Sequence, residues 1–284
     1  MRSSTRVVPG SKPFAALAAG AAVLAVPASA GATTLFGSGS SAEQPILNVL
    51  FKDYHQLHKN IRFAYSPDGG NQGVKDVQSG RSEFAIQTRP PLPADHGTTY
   101  VKEFLDGLCV AVNPRNSVSN LTITNTANVF LGLLTSWSQV PGTNLKTTID
   151  PVGRNSTAGS YTFFQQAVLG GKTQSSNVLP ETSDGLVATQ VSRDPNAIGY
   201  VGLAHSGRGS GVKALALNGV ACNQTYIRKN TYPLWRWIWA VLPTPTATKH
   251  LDANVGKFLN WVASSKQAGT AISKAGAVPA FNKR

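Results

Sequence analysis

The chain has 284 residues, 41% of them hydrophobic and only 14% charged. That supports a sizeable core, suggests about two domains, and excludes a disordered chain. Gly (27) and Pro (17) are near average, which excludes collagen-like and Pro-rich classes, while 26 Lys+Arg against 13 Asp+Glu give a net charge of +13 that favours anionic partners.

Residues 1–30 read as a secretory signal peptide. Arg2, Arg6 and Lys12 make a basic start. Phe14–Val26 is apolar but short for a membrane span. Ala28-Ser29-Ala30 is a small-x-small cleavage signal. Its removal leaves 23 basic against 13 acidic residues, a net +10. No Cys follows the cleavage region, so lipid attachment at a mature N-terminal Cys is not expected. No later run is apolar and long enough to span a bilayer, so the mature protein is expected to be soluble. In an oxidising compartment Cys109 and Cys222 form one disulfide or remain two buried thiols, and spacing alone does not decide.

The remaining chain alternates strand and helix patterns. Thr34–Phe36 is a short apolar strand that runs into Gly37–Ser41. A helix follows over Ile46–Leu57. Ile61–Tyr65 alternates as a strand, Ser66–Gly73 reads as a loop and Val74–Ser79 as a short helix. Phe84–Ile86 and Leu108–Asn113 are strands. Ala127–Leu134 and Tyr161–Leu169 are helical, and Thr182–Asp184 can cap a helix through Val191. Ala197–Val201 is a strand and Tyr232–Leu242 the longest strand candidate. Val255–Ser264 and Gly269–Ala275 close the chain as helices. This pattern argues for α/β architecture with largely parallel sheets.

Three Gly/Ser-rich turns sit between a strand and a helix: Gly37–Ser41, Gly69–Gly73 and Asn155–Ser160. Small residues let backbone N–H groups converge, and a helix N-terminus adds unpaired donors and partial positive charge. Arg154, just before the third turn, offers a bidentate contact to an oxyanion or else serves in a salt bridge.

The same segments resemble the substrate-binding protein of phosphate ABC transporters, within the type II periplasmic-binding-protein fold. Gly37-Ser-Gly-Ser-Ser-Ala-Glu-Gln-Pro45 resembles that family's Gly-x-Gly-x-Thr-Phe-Pro-x-Pro. Gly69-Gly-Asn-Gln-Gly-Val-Lys75 resembles its Gly-Ser-Ser-Gly-Gly turn, and Phe84-Ala-Ile-Gln-Thr-Arg-Pro90 its Phe-Gly-Ala-Ser-Asp-x-Pro. Val129–Trp137, Arg154–Phe163, Pro195–Tyr200 and Tyr232-Pro233 match further motifs in order. The resemblance implies two α/β lobes with a central ligand cleft. Residues 31–108 and 238–284 would form one lobe and 109–237 the other, with both cysteines in the second.

The resemblance also implies ligand-binding positions. The first turn supplies Ser40, Ser41 and Ala42, with Ser41 in place of a Thr. The second supplies Gly70, where a Ser is expected, and Asn71. Thr88 replaces an Asp and is followed by Arg89. Arg154 is retained. Ala158 replaces a Ser, and Gly159 and Ser160 keep the rest of the third turn. The resemblance implies that in the family this carboxylate accepts a hydrogen bond from a protonated phosphate and repels an anion with no proton to give. Thr88 either preserves phosphate binding or relaxes the choice toward another tetrahedral oxyanion such as sulfate, and Arg89 faces either the cleft or solvent.

The implied function is capture of phosphate or a related oxyanion, by an exported periplasmic or extracellular monomer, for delivery to the permease of an ABC transporter. The other reading is an exported interaction or scaffold protein that kept the fold and lost tight phosphate binding. No Gly-x-Ser-x-Gly elbow, paired-carboxylate pattern or metal-ligand cluster stands out, so no catalytic residue, metal or cofactor is expected. His55 and His58 share a helix face without a third ligand. Trp235, Trp237 and Trp239 share a strand face, as core or as a contact surface. Basic residues are dispersed, which argues against nucleic-acid binding.

Overall fold

A computed structural model describes residues 31–280 apart from 142, 144, 208 and 246–250. The expected leader, 1–30, lies outside the described residues. In chain order the elements are β1 (Thr33–Gly39), α1 (Gln44–Leu57), β2 (Ile61–Ser66), α2 (Gly70–Ser79), β3 (Phe84–Gln87), β4 (Thr98–Val112) and β5 (Asn120–Leu121). Then come α3 (Ile123–Phe130), β6 (Asp150–Arg154), α4 (Gly159–Ala167), β7 (Leu179–Glu181), α5 (Asp184–Arg193) and β8 (Ala197–Gly202). The short strands β9 (Lys213–Ala214), β10 (Ala216–Leu217) and β11 (Val220–Ala221) precede α6 (Gln224–Arg228). The chain closes with β12 (Trp235–Pro243), α7 (Ala253–Ser264), α8 (Lys266–Lys274) and β13 (Val278–Pro279).

Local sequence explains most boundaries. Pro45 sits in the first turn of α1, where its missing N–H costs nothing, and Ile46, Leu47, Leu50 and Tyr54 form the buried face. Ser183 caps α5 by accepting from the Leu186 N–H. Two boundaries differ from the sequence pattern. α2 begins at Gly70 rather than Val74, because the glycines that read as a loop are there for close packing: a β-carbon on Gly73 would lie 2.7 Å from the Gly39 Cα. β4 begins ten residues before Leu108, since Lys102, Glu103 and Asp106 mask its apolar pattern.

The strand order β2-β1-β3-β12-β4-β8-β6-β7 shows how the chain moves. The flanks are parallel, β2-β1-β3 on one side and β8-β6-β7 on the other. The middle is antiparallel, β3-β12-β4-β8, so the expectation of a largely parallel sheet holds only at the flanks. The reason is connectivity: β4 carries the chain from the first flank to the second, and β12 brings it back.

The two largest apolar cores draw on opposite parts of that antiparallel centre. The first contains Leu35, Ile46, Leu50, Phe84, Phe104, Ile238 and Phe258. The second contains Leu108, Val110, Phe130, Trp137, Phe164, Tyr200 and Leu234. Each such buried side chain stabilises the fold by about 1.5–3 kcal/mol before entropy is counted. β4 feeds both cores, with Phe104 in the first and Leu105, Leu108, Cys109, Val110 and Val112 in the second. Cys109 of β4 and Cys222 before α6 are joined by a disulfide within the second core, their Cα atoms 5.7 Å apart. Trp235 and Trp237 lean on that core, and the Lys102 ammonium lies 5.0 Å from the Trp237 ring.

Candidate functional site

The three Gly/Ser-rich turns meet. Gly39 has φ +122°, and its backbone is so close to Ile86 that a side chain would strike the Ile86 carbonyl. That contact seats the first turn against β3, where the Ser40 N–H donates to the Ile86 carbonyl at 2.8 Å. The Gly69 N–H donates to the Gly39 carbonyl at 2.8 Å, which joins the second turn to the first. The Asn71 N–H donates to the Thr157 carbonyl at 2.9 Å, which joins the third turn to the second. The Asn71 side chain adds bonds to the carbonyls of Ser156 and Ala158 and to the Thr162 hydroxyl, at 3.0, 3.2 and 2.8 Å.

The N-termini of α2 and α4 therefore face a common small volume. Gly70 and Gly159 begin these helices, and the carboxamide oxygen of Gln87 lies so near both that a side chain on either would collide with it. Gln87 is fully buried; its oxygen accepts from the Thr88 N–H at 2.8 Å and its nitrogen donates to Asn71 Oδ1. The Thr88 hydroxyl points at the same place. It is buried, has no hydrogen-bond partner among the described residues, and would sit 2.7 Å from a β-carbon on Gly159. A buried unpaired hydroxyl is costly, so it marks where a polar guest would be satisfied. The Ser38 hydroxyl at the end of β1 is buried and unpaired in the same way.

The cations around this volume are each matched by a carboxylate. Arg154 is 1% exposed, and its guanidinium pairs with Asp184 while donating to the carbonyls of Glu181 and Thr182 at 3.2 and 2.9 Å. Burial pushes the Arg154 guanidinium down to about 10, which leaves it charged at neutral pH. The same Asp184 carboxylate meets the Ser41 hydroxyl at 3.4 Å and accepts from the Gly202 N–H. Ser41 and Arg154 are thus brought together through Asp184. Arg89 is turned to Asp95, with bonds at 2.6 and 3.0 Å, and its Nε donates to Asn71 Oδ1 at 2.7 Å. Its charge is therefore spent on Asp95, neither in solvent nor free for an anion. Burial alone would raise Asp95, but bonds from Arg89, the Leu92 N–H and Tyr100 hold it below the usual carboxylate range.

Of the expected positions, Ser41, Gly70, Asn71, Thr88, Arg154, Ala158, Gly159 and Ser160 fall in this one region. Ser40 and Ala42 are buried in the first turn, where Ser40 also accepts from the Tyr65 hydroxyl. The sequence reading missed five residues: Glu43, Gln87, Asp106, Arg236, and Asp184 as more than a helix cap. A signal was available for two of them. Arg236 is a lone charge inside the otherwise apolar β12, and Asp106, set between Leu105 and Leu108 on β4, stands opposite it in the β4–β12 register. His55 and His58 are engaged elsewhere: the His55 ring bonds the Ile61 carbonyl and the His58 ring packs, tilted, against Tyr54.

An α/β frame with two cores joined by crossing strands, and helix N-termini converging at the seam, defines a binding protein of the periplasmic type. The family description of the PBP superfamily domain matches residues 25–266, and the chain belongs to that superfamily. Among curated relatives, the phosphate-binding protein PstS of Borreliella burgdorferi is 26% identical over 239 residues, covering 80% of this chain and 83% of its own. Protein SphX of Synechococcus elongatus is 28% identical, covering 89% of this chain and 79% of its own. Among solved structures, a candidate phosphate ABC transporter substrate-binding protein from Clostridium perfringens with bound phosphate superposes with a TM-score of 0.80 at 21% identity. It covers 87% of this chain and 99% of its own. That likeness establishes the fold.

Proposed function

We propose that this chain is an exported solute-binding protein that captures inorganic phosphate, or a closely related tetrahedral oxyanion, and delivers it to the permease of an ABC transporter. The observation that carries the reading is the meeting of the α2 and α4 N-termini at the Gln87 side chain, with the buried, unpaired Thr88 hydroxyl beside the start of α4. Two helix N-termini favour an anion by roughly 0.3–1 kcal/mol each, and more where water is excluded. The curated relatives named for phosphate binding support the same ligand class. The ligand would be held between the two cores, and closure about β4 and β12 would follow from contacts that only the closed state makes. The protein would act as a monomer and leave the ligand's bonds intact. The basic start, short apolar run and Ala28-Ser29-Ala30 expected to form a leader support export to a periplasmic or extracellular site. No helix among the described residues is long and apolar enough to cross a membrane.

One observation favours a second reading, an interaction protein without tight phosphate binding. Arg154 and Arg89 are already neutralised by Asp184 and Asp95, and Gln87 fills space between Gly70 and Gly159. Calorimetric titration of the mature chain with phosphate and then sulfate separates the two. We expect one phosphate per chain, bound at micromolar concentration or tighter. No heat with either anion would favour the interaction protein.

A further inference from the structure

The Ser160 hydroxyl, in the first turn of α4, accepts a hydrogen bond from Arg236 Nη1 at 3.0 Å. Arg236 is 3% exposed and lies on β12 directly opposite Asp106 of β4. Asp106 Oδ2 receives its Nε at 3.1 Å and its Nη2 at 2.8 Å. Asp106 is itself fixed by the Leu203 N–H on its other oxygen at 3.1 Å. The Phe163 ring lies 5.6 Å from the guanidinium carbon, and Glu43 Oε1 lies 3.8 Å from Nη2. With two of its N–H directions locked on Asp106, the planar guanidinium has its third aimed at Ser160.

A guanidinium has donors only, whereas a hydroxyl has one proton and two lone pairs. Ser160 must therefore accept from Arg236, and its own proton must point elsewhere. Among the described residues no acceptor takes that proton. Gly159, the adjacent residue, faces the unpaired Thr88 hydroxyl.

We propose that Arg236 is a positioning residue for anion capture: it fixes the Ser160 hydroxyl as an obligate donor toward the bound oxyanion, and Asp106 fixes Arg236. The proposal rests on the oxyanion reading of this seam and names how one corner of it selects. The ligand oxygen that faces Ser160 must be a bare acceptor, so the ligand's protonated oxygens are directed to other partners.

The test is a double-mutant cycle read by calorimetric titration with inorganic phosphate. Four mature chains are compared: the wild type, Ser160→Ala, the charge-balanced pair Arg236→Gln with Asp106→Asn, and all three changes together. Ser160→Ala weakens phosphate on the order of tenfold, the size of one hydrogen bond to a charged group. The charge-balanced pair weakens it by a similar factor, and the triple variant is no weaker than Ser160→Ala alone. Should the pair fail to fold, Asp106→Asn alone frees the guanidinium and is expected to show the same lack of additivity with Ser160→Ala. Multiplicative losses, or wild-type affinity in the pair, overturn the proposal and leave the oxyanion reading standing. Absence of phosphate binding by the wild type overturns that reading and the proposal with it.

Discussion

Glu43 is the residue whose chemistry departs furthest from its sequence context. It sits between the first turn and α1, fully buried, facing Asp106 from β4, Arg236 from β12 and Tyr65 from β2. Burial first, and then the Asp106 charge, hold its carboxyl well above the usual range, while Arg236 pulls it only part of the way back. The folded chain therefore keeps a proton that the unfolded chain releases at lower pH. Its contribution to stability is complete below the ordinary carboxylate range and is lost as pH rises through the elevated native value. Thermal unfolding of the wild type and Glu43→Gln, followed from acid to mildly alkaline pH, should show a decline in the wild type that the variant lacks. Parallel curves would refute this. At this scale the sequence exposed Arg154, Thr88 and Ser160 because they fall within short contiguous patterns. It hid Asp184 and Arg236 because their partners are distant in sequence: Arg154 to Asp184, Arg236 to Asp106, and Arg236 to Ser160 meet only after folding.

The elements show where local pattern and tertiary packing part company. Amphipathic runs such as α1 and α7 are read directly from apolar spacing. The start of α2 is not, since Gly69 to Gly73 has the composition of a loop and becomes helix only through its contacts with β1 and the third turn. Asn71 is the hinge pin of that arrangement. Its side-chain amide donates to three acceptors around the start of α4, so it joins elements rather than standing free for a ligand. Asn71→Ala removes those bonds, together with the acceptor for the Arg89 Nε. It should lower stability by about 1–3 kcal/mol, read from the midpoint of denaturant unfolding. An unchanged midpoint would mean that the α2–α4 junction is held by the backbone bonds and glycine packing alone.

For the molecule as a whole, alternation of strands and helices was enough to indicate an α/β chain, but the antiparallel centre was not legible. Polar residues interrupt β4, and a pattern of apolar spacing carries no strand direction. That centre matters for the function proposed. β4 and β12 connect the two cores, and their facing charges, Asp106 and Arg236, lie beside the seam where the three turns meet. The most direct test of that convergence is a crystal structure of the mature chain grown with phosphate. Tetrahedral density is expected within hydrogen-bond distance of the Thr88 and Ser160 hydroxyls, between the first turns of α2 and α4. A phosphate bound anywhere else, out of reach of both hydroxyls, would contradict it.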